Sequence, residues 1–323
     1  MKKALALLLA VTISLSLAAC ATTSTETKKN DFPTETITIM VPFNAGASND
    51  MLVRVLAQAA QESTNTKIIV ENKGGSGGVV GTTEFAATAK PNGYDVAFTV
   101  VGCFTTQQYL RDCQFSLDDF KGVIGLTDSP LLLEVANNSK WNTLEELLSE
   151  KELIIGIPGT GTLPHVILAT LLDQAGVSVS MVPFSSDGEA MPALLNGTID
   201  CYVNHPNVYN NNADNLRILA CACDERLLDF PDVPTLKECG YDLSMSVYTG
   251  LLVPAETPQE VVDTLYEIFT KAKETDTWKN YLDNNFIDMF ELDGVAFTQK
   301  LAADYPMFSE YLEQLGFERG SVS

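Results

Sequence analysis

The sequence predicts an α/β protein of two domains, and three observations carry that reading. Residues 36–60 (TITIMVPFNAGASNDMLVRVLAQAA) begin as an apolar, β-branched strand and break from Pro42 to Gly46. They resume as a helix with apolar residues at Met51, Leu52, Val55, Leu56, Ala59 and Ala60. The same order returns where ELIIGIP runs into GTGTLPHVILATLLDQAG: Pro158, Gly159 and Gly161 separate a buried strand from a helix starting near Thr162. With the amino-terminal segment set aside, about 290 residues remain, which suits two domains of roughly 150. An apolar fraction of 46% fits a globular core.

The intervening elements follow in order. Lys67 to Lys73 reads as a second strand leading into Gly74–Gly81, whose glycines permit positive φ, and residues 82–90 read as helix. PNGYD is a turn before the third strand, which delivers residues 101–106 to the edge reached by the first two loops. Loops converging at the carboxyl ends of parallel strands are where small ligands bind. A second unit begins from FKGVIGLTDSPLLLEV, with a strand over 131–135 and a helix over 143–151. After ELIIGIP and its helix come strand SVSMVPF, a helix over 188–196, strand TIDCYVN ending at Asn204 and His205, and strand LRILACACD. Residues 247–253 return the chain to the first unit. EVVDTLYEIFTKAKE and GVAFTQKLAADYPMFSEYLEQLG are helix-periodic.

The amino terminus has the layout of a secretory signal: Lys2 and Lys3, an apolar run from Ala4 to Leu17, then LAAC ending at Cys20. The run is shorter than the roughly 20 residues a spanning helix needs. LAAC resembles the bacterial lipobox, which implies cleavage before Cys20 and lipidation of that residue; the other reading is an ordinary signal with an incidental cysteine. ATTSTETKKND then reads as a flexible tether, giving a signal over 1–19 and a lipidated, tethering segment over 20–33.

A net charge of −22 opposes nucleic acid as a partner. Cys221 and Cys223, read as one strand, would share a face about 6.6 Å apart, which favours two core thiols over a bridge. Cys103 and Cys113 flank a loop and could pair outside the cell. His165 and His205 are the only histidines, and no CxxC or HExxH occurs, so no metal or cofactor is expected. The glycine-rich stretch lacks the GKS/GKT ending of a nucleotide loop, and no GxSxG elbow is present.

Taken together, VPFNAGASND, IIVENKGGSGG, PNGYD, GTGTLPH, VPFSSDGEAMPALLNGTID, LLDFPDVPTLKECGY and GLLVPAETPQEVVDTL resemble, in order, the solute-binding proteins of tripartite tricarboxylate transporters, the Bug receptors. The resemblance spans about residues 36–286. It implies a type II, Venus-flytrap periplasmic-binding-protein fold with two lobes and a ligand cleft between them. Domain 1 would comprise 34–126 and 247–323, and domain 2 residues 127–246, with hinges near 124–129 and 246–251. It implies an extracytoplasmic, lipid-anchored, monomeric receptor that hands a small carboxylate or amino-acid-like ligand to large and small permease subunits. Carried onto this chain, the first loop is Phe43, Asn44, Ala45, Gly46, Ala47, Ser48, Asn49 and Asp50, and the second is Gly159, Thr160, Gly161 and Thr162, with His165 behind. Gly78, Val101, Gly102, Thr105, Phe184, Ser185 and Asn204 complete the expected ligand set. Two departures stand out. Ala47 and Ser48 replace common glycines, and Phe184 and Ser185 replace a frequent tyrosine and basic residue, which argues against a simple tricarboxylate such as citrate.

Helix amino termini reconcile an acidic protein with an anionic ligand, because each offers about half a positive charge plus unpaired N–H groups. Asp50 either favours the helix dipole or meets a ligand ammonium or hydroxyl. His165 either packs beneath the loop or donates to ligand. Asn204 has a plausible pocket role and His205 a weaker one, and Phe43, Phe104 and Phe184 either floor the cleft or belong to the core. The alternatives to transport are a receptor feeding a two-component sensor and a lipid-anchored hydrolase.

Overall fold

The computed structural model describes residues 32–184 and 186–322. The signal segment, Cys20, nearly all of the tether and Ser185 lie outside them. Two mixed sheets build two lobes. In lobe 1 the order is β11-β4-β10-β3-β1-β2. Here β1 (Ile37–Val41) lies parallel to β2 (Ile68–Asn72) and β3 (Asp95–Val100). β10 (Ser246–Pro254) runs antiparallel between β3 and β4 (Phe120–Pro130), and β11 (Asp288–Met289) edges β4. In lobe 2 the order is β7-β6-β8-β5-β9. Its strands are β5 (Leu132–Ala136), β6 (Ile154–Ile157), β7 (Ser180–Pro183), β8 (Cys201–Asn204) and β9 (Leu216–Cys221).

Strands β1 and β6 are each buried runs followed by a proline, a short loop and a helix: α1 (Ser48–Thr64) after β1 and, counting on along the chain, α6 (Leu163–Ala175) after β6. Between them lie α2 (Val79–Thr88), α3 (Val101–Phe104), α4 (Thr106–Leu110) and α5 (Leu144–Leu148). Lobe 2 adds α7 (Asp187–Leu195) and α8 (Pro206–Asn211), and the carboxyl-terminal third adds α9 (Gln259–Lys273), α10 (Asp276–Asn285) and α11 (Gly294–Gln314).

Where the chain passes between lobes, β4 ends at Pro130 and β10 begins at Ser246, and these two residues are paired. The crossing is braced from inside. Thr127 and Thr249 share a hydroxyl hydrogen bond of 2.6 Å, and Lys273, only 4% exposed, donates from Nζ to Gly125 O (3.1 Å) and Phe290 O (2.7 Å). Burial pushes the Lys273 ammonium pKa down, while Glu291 at 3.4 Å opposes that. Gly122 and Gly294 let α11 approach β4 closely, since a Cβ on either would meet the other's backbone.

Several elements differ from the sequence expectation. Residues 120–130 form one long strand, because β10 and β11 cover both its edges. The second glycine-rich loop ends earlier than expected. Ser76–Gly78 make a 3-10 turn and α2 starts at Val79, with Gly81 inside the helix because it packs against Lys73 O and Pro42. Residues 101–110 are two short helices broken at Thr105. α10 escapes a periodicity search, since only Trp278 and Leu282 are buried, but Thr275 caps it by accepting from Trp278 N. β9 stops at Cys221, so Cys223 sits on a bend and not on the shared strand face. Cys103 and Cys113 are free thiols, as are Cys221 and Cys223. Cys103 Sγ faces Gly77 O and Cys113 Sγ faces Gln107 O. Among the described residues no helix is long and apolar enough to cross a membrane.

Replacing Lys273 with Met removes the donor shared by Gly125 O and Phe290 O and should cost about 2 kcal/mol. A lowered urea midpoint at unchanged slope is the expected result.

Candidate functional site

The two loops after β1 and β6 are built alike. In the first, Gly46 adopts φ +82°, which only glycine holds without strain, and its N–H donates to Asp50 Oδ2 at 2.8 Å. In the second, Gly161 adopts φ +75° and its N–H donates to His165 Nδ1 at 2.9 Å. Each loop is thus tied to the side chain four residues on, in the first turn of its own helix.

Asp50 is 2% exposed and has both oxygens engaged. Arg54 Nε (3.0 Å) joins Gly46 on Oδ2, while Asn72 Nδ2 (2.9 Å) and the Arg54 guanidinium (3.0 Å) meet Oδ1. Burial would raise the Asp50 pKa, but the hydrogen bonds from Arg54, Gly46 and Asn72 outweigh it and hold the carboxyl below its ordinary value. Asn72 also donates to Phe43 O, extending the brace along the loop. His165 is 8% exposed, and burial pushes its imidazole pKa down. With Nδ1 accepting from Gly161, the ring is neutral and its proton sits on Nε2.

What this leaves for a ligand is the first turn of each helix. In α1 the first intrahelical bond is Met51 N to Ala47 O, so the amides of Ser48, Asn49 and Asp50 have no helical acceptor. In α6 it is Val166 N to Thr162 O, which leaves the amides of Leu163 and His165, Pro164 having none. Phe43, Asn49 and Gly102 from lobe 1 and Thr162, Leu163 and His205 from lobe 2 are among the residues lining a cleft of about 220 Å³, and among the described residues no Lys or Arg lines it. Gln107 joins the two sides: Nε2 donates to Gly161 O at 3.3 Å while Oε1 accepts from Arg111 Nε at 2.9 Å.

The other expected residues fall into distinct positions. Asn44, Ala45, Gly46 and Ser48 are exposed on the loop, with Ala47 half-buried among them. Gly159 and Thr160 shape the second loop, whose Thr162 Oγ1 donates to Gly159 O. Gly78 is buried against Cys103, and burial raises that thiol's pKa to about 11. Val101 and Thr105 are fully buried, with the Thr105 hydroxyl spent on Val101 O, and Phe104 packs edge-on against Phe115 and Phe120 in the core. Phe184 is half-buried, edge-on to Tyr202. Asn204 is 2% exposed at the end of β8. The sequence reading passed over Gln107 and Leu163. Gln107 stands one residue beyond the expected loop, and Leu163 looks like ordinary helix filling. Ser129 Oγ and His205 Nδ1 lie 3.0 Å apart, tying β4 to the end of β8. Among the described residues no cluster of His, Cys, Asp and Glu could hold a metal.

The family profile described as "Tripartite tricarboxylate transporter family receptor" matches residues 52–317. The chain belongs to this family. Members are solute-binding receptors with the two-lobed periplasmic-binding fold. One relative of the chain is the UPF0065 protein in the gbd 5′ region of Cupriavidus necator, 28% identical over 294 residues, covering 89% of this chain and 90% of that one. Among solved structures, a TctC solute-binding protein from Polaromonas is 28% identical, with TM-score 0.75, over 88% of this chain and 99% of that one. MatC of Rhodopseudomonas palustris, solved with bound malate, has TM-score 0.75 at 24% identity over 87% and 100% of the two chains, and shares the fold.

Acid should weaken the second loop. The unfolded chain takes up a histidine proton near pH 6.5, whereas buried His165, with its lowered pKa, resists it. The stability it contributes is therefore full above about 6.5 and lost as pH falls below that. His205, also lowered by burial, adds the same sign, with Asp187 offsetting part of it. Thermal midpoints should decline from pH 7 to pH 5, and the decline should be shallower in His165→Gln.

Proposed function

We propose that this receptor captures a small solute by a carboxylate group and passes it to the large and small membrane subunits of a tripartite transporter. The observation that carries the reading is the matched pair of loops. Each is held from behind by a glycine amide, and each leaves first-turn N–H groups toward a cleft without cationic side chains. A carboxylate satisfies such amides, and four to six charge-assisted hydrogen bonds of roughly 1.5 to 3 kcal/mol, less the ordering cost, reach micromolar affinity. The malate bound to MatC supports the same class of ligand.

In this reading Asp50 and His165 are clamps behind the loops and do not touch ligand: each holds its loop's glycine amide, neither lines the cleft, and the His165 ring packs edge-on to Phe317. Phe43, Asn49, Gly102 and Thr162 contact the solute, with Leu163 and Gln107 added to the expected set. The lobes divide at the paired ends of β4 and β10, within a few residues of the expected 34–126 with 247–323 and 127–246, and closure turns about that pair. Both loops come from one polypeptide, so a monomer suffices. Neither Ser48 nor His165 is set up for nucleophilic chemistry, since His165 Nδ1 is occupied, and the protein acts without catalysis.

A thermal-shift screen of mono-, di- and tricarboxylates, amino acids and nicotinate-like aromatics should find a stabilising carboxylate. At about 100-fold excess over Kd the gain is about 2.7 kcal/mol. Gly161→Leu puts a side chain at positive φ and against Leu110. It should abolish the ligand response while the unliganded protein still unfolds cooperatively; an unchanged response would sink the facing-loop scheme.

We further propose that Cys20 carries a lipid anchor. Cys20→Ser should shift the protein from the membrane to the soluble fraction, and retention at the membrane would rule the anchor out.

A further inference from the structure

One buried cluster in lobe 2 is left unused by the loop scheme. Glu134 on β5 is fully buried, and neither carboxylate oxygen has a hydrogen-bond partner. Among the described residues no Lys or Arg forms an ion pair with it. Its cross-strand partner on β8 is Tyr202, whose hydroxyl donates at 3.0 Å to Oδ1 of Asp187, the first residue of α7.

Two residues further along β8, on the same face, stands Asn204. Its Oδ1 accepts from His205 N at 2.7 Å, but its Nδ2, also buried, has no partner. Asn204 pairs with Leu132 as Tyr202 pairs with Glu134, so the orphan amide and the orphan carboxyl are diagonal neighbours across the two strands, roughly 7 to 8 Å apart at the backbone. Because β8 runs parallel to β6, Asn204 reaches the same sheet edge as the Pro158–Thr162 loop. Next to it, His205 lines the cleft.

Native interiors rarely leave buried polar groups unpaired, and here one donor and two acceptors are unpaired on a single face. No cation among the described residues balances the Glu134 carboxyl: its titratable neighbours are Asp187 on α7, Cys201 and Tyr202 on β8 and Tyr209 on α8, the Tyr202 hydroxyl is already given to Asp187, and burial disfavours a charge on His205, which Asp187 faces. A second ligand carboxylate alone would be repelled. An α-amino acid group presents an ammonium beside carboxylate oxygens and complements both kinds of orphan at once. We propose that Glu134 and Asp187 receive a ligand ammonium, that Asn204 Nδ2 donates to an adjoining ligand oxygen, and that the solute is therefore an α-amino-carboxylate. The inference rests on the carboxylate reading above and specifies the other end of the ligand.

Burial holds the Glu134 carboxyl pKa well above the ordinary range, with Asp187 adding to the effect. An arriving ammonium would favour its ionised form, so binding expels a proton to the buffer.

The test is calorimetry with four five-carbon probes: pentanoate, glutarate, L-norvaline and L-glutamate. Each aminated probe should bind at least tenfold tighter than its unaminated counterpart and release a proton, seen as enthalpy that tracks the buffer's ionisation heat. Glu134→Gln, nearly isosteric, should remove the tenfold advantage and the proton release while leaving affinity for the unaminated probes within about twofold. Asp187→Asn gives a second variant with the same expectation for the advantage. An absent advantage in the unmodified protein overturns the inference, as does an advantage that survives both substitutions; the carboxylate reading stands in either case if glutarate or pentanoate binds. Failure of all four probes removes that reading and this inference with it.

Discussion

Peptide N–H groups make weak individual anchors for an anion, and they work only when several are aimed at one point and kept there. In this protein the aiming depends on a single bond made twice: a glycine amide turned back onto the side chain four residues later. In lobe 1 the acceptor is a buried carboxylate with four donors around it; in lobe 2 it is a neutral imidazole. The two solutions differ in kind. Asp50 sets a carboxylate in the first turn of α1, where it suits the helix dipole, and the paired Arg54 offsets its repulsion of an incoming anion; His165 adds no charge at all. Lobe 1 therefore supplies more amides with a counter-charge behind them, and lobe 2 supplies fewer amides on an uncharged support.

The strands place these loops. β1 sits between β2 and β3, and β6 between β7 and β8, so each loop leaves the carboxyl end of an interior parallel strand. The antiparallel pair β4 and β10 sets how the two edges meet, and the Thr127 and Thr249 hydroxyls and the Lys273 ammonium stiffen it inside lobe 1. Gln107 then links the lobes at the cleft itself, through a carbonyl of the loop that His165 supports. Loop, hinge and cross-cleft contact thus form one connected set of backbone carbonyls and amides, with side chains mostly serving to hold them.

Much of this was legible in the sequence because it follows local rules. The βα repeats showed as apolar runs broken by proline and glycine, and the ordered motifs carried the family and the two-lobed fold. What was not legible depends on contacts across the chain. The strand at residues 120–130 has an unremarkable composition and exists because two distant strands flank it. Asp50 and His165 could be located but not assigned a direction, since the partner that occupies each is a glycine amide with no side-chain signature. Gln107 lies outside the loop motif and matters only because Gly161, 54 residues away, comes within reach. Glu134 carries no signal in the sequence, being a single acid within an apolar strand, and only the pairing with β8 sets it opposite Tyr202 and near Asp187.

The sheet order has a consequence for how the chain is made. Every strand of the lobe 2 sheet comes from residues 132–221, an uninterrupted stretch, whereas the lobe 1 sheet inserts β10, residues 246–254, between strands formed from residues 95–100 and 120–130. As the chain emerges amino end first, lobe 2 has all its strands while lobe 1 still lacks an interior one. Until β10 arrives, β3 and β4 each present an unpaired edge, the kind of surface that invites pairing with another chain. The lobe that begins first is completed last, and the final stretch of polypeptide seals it.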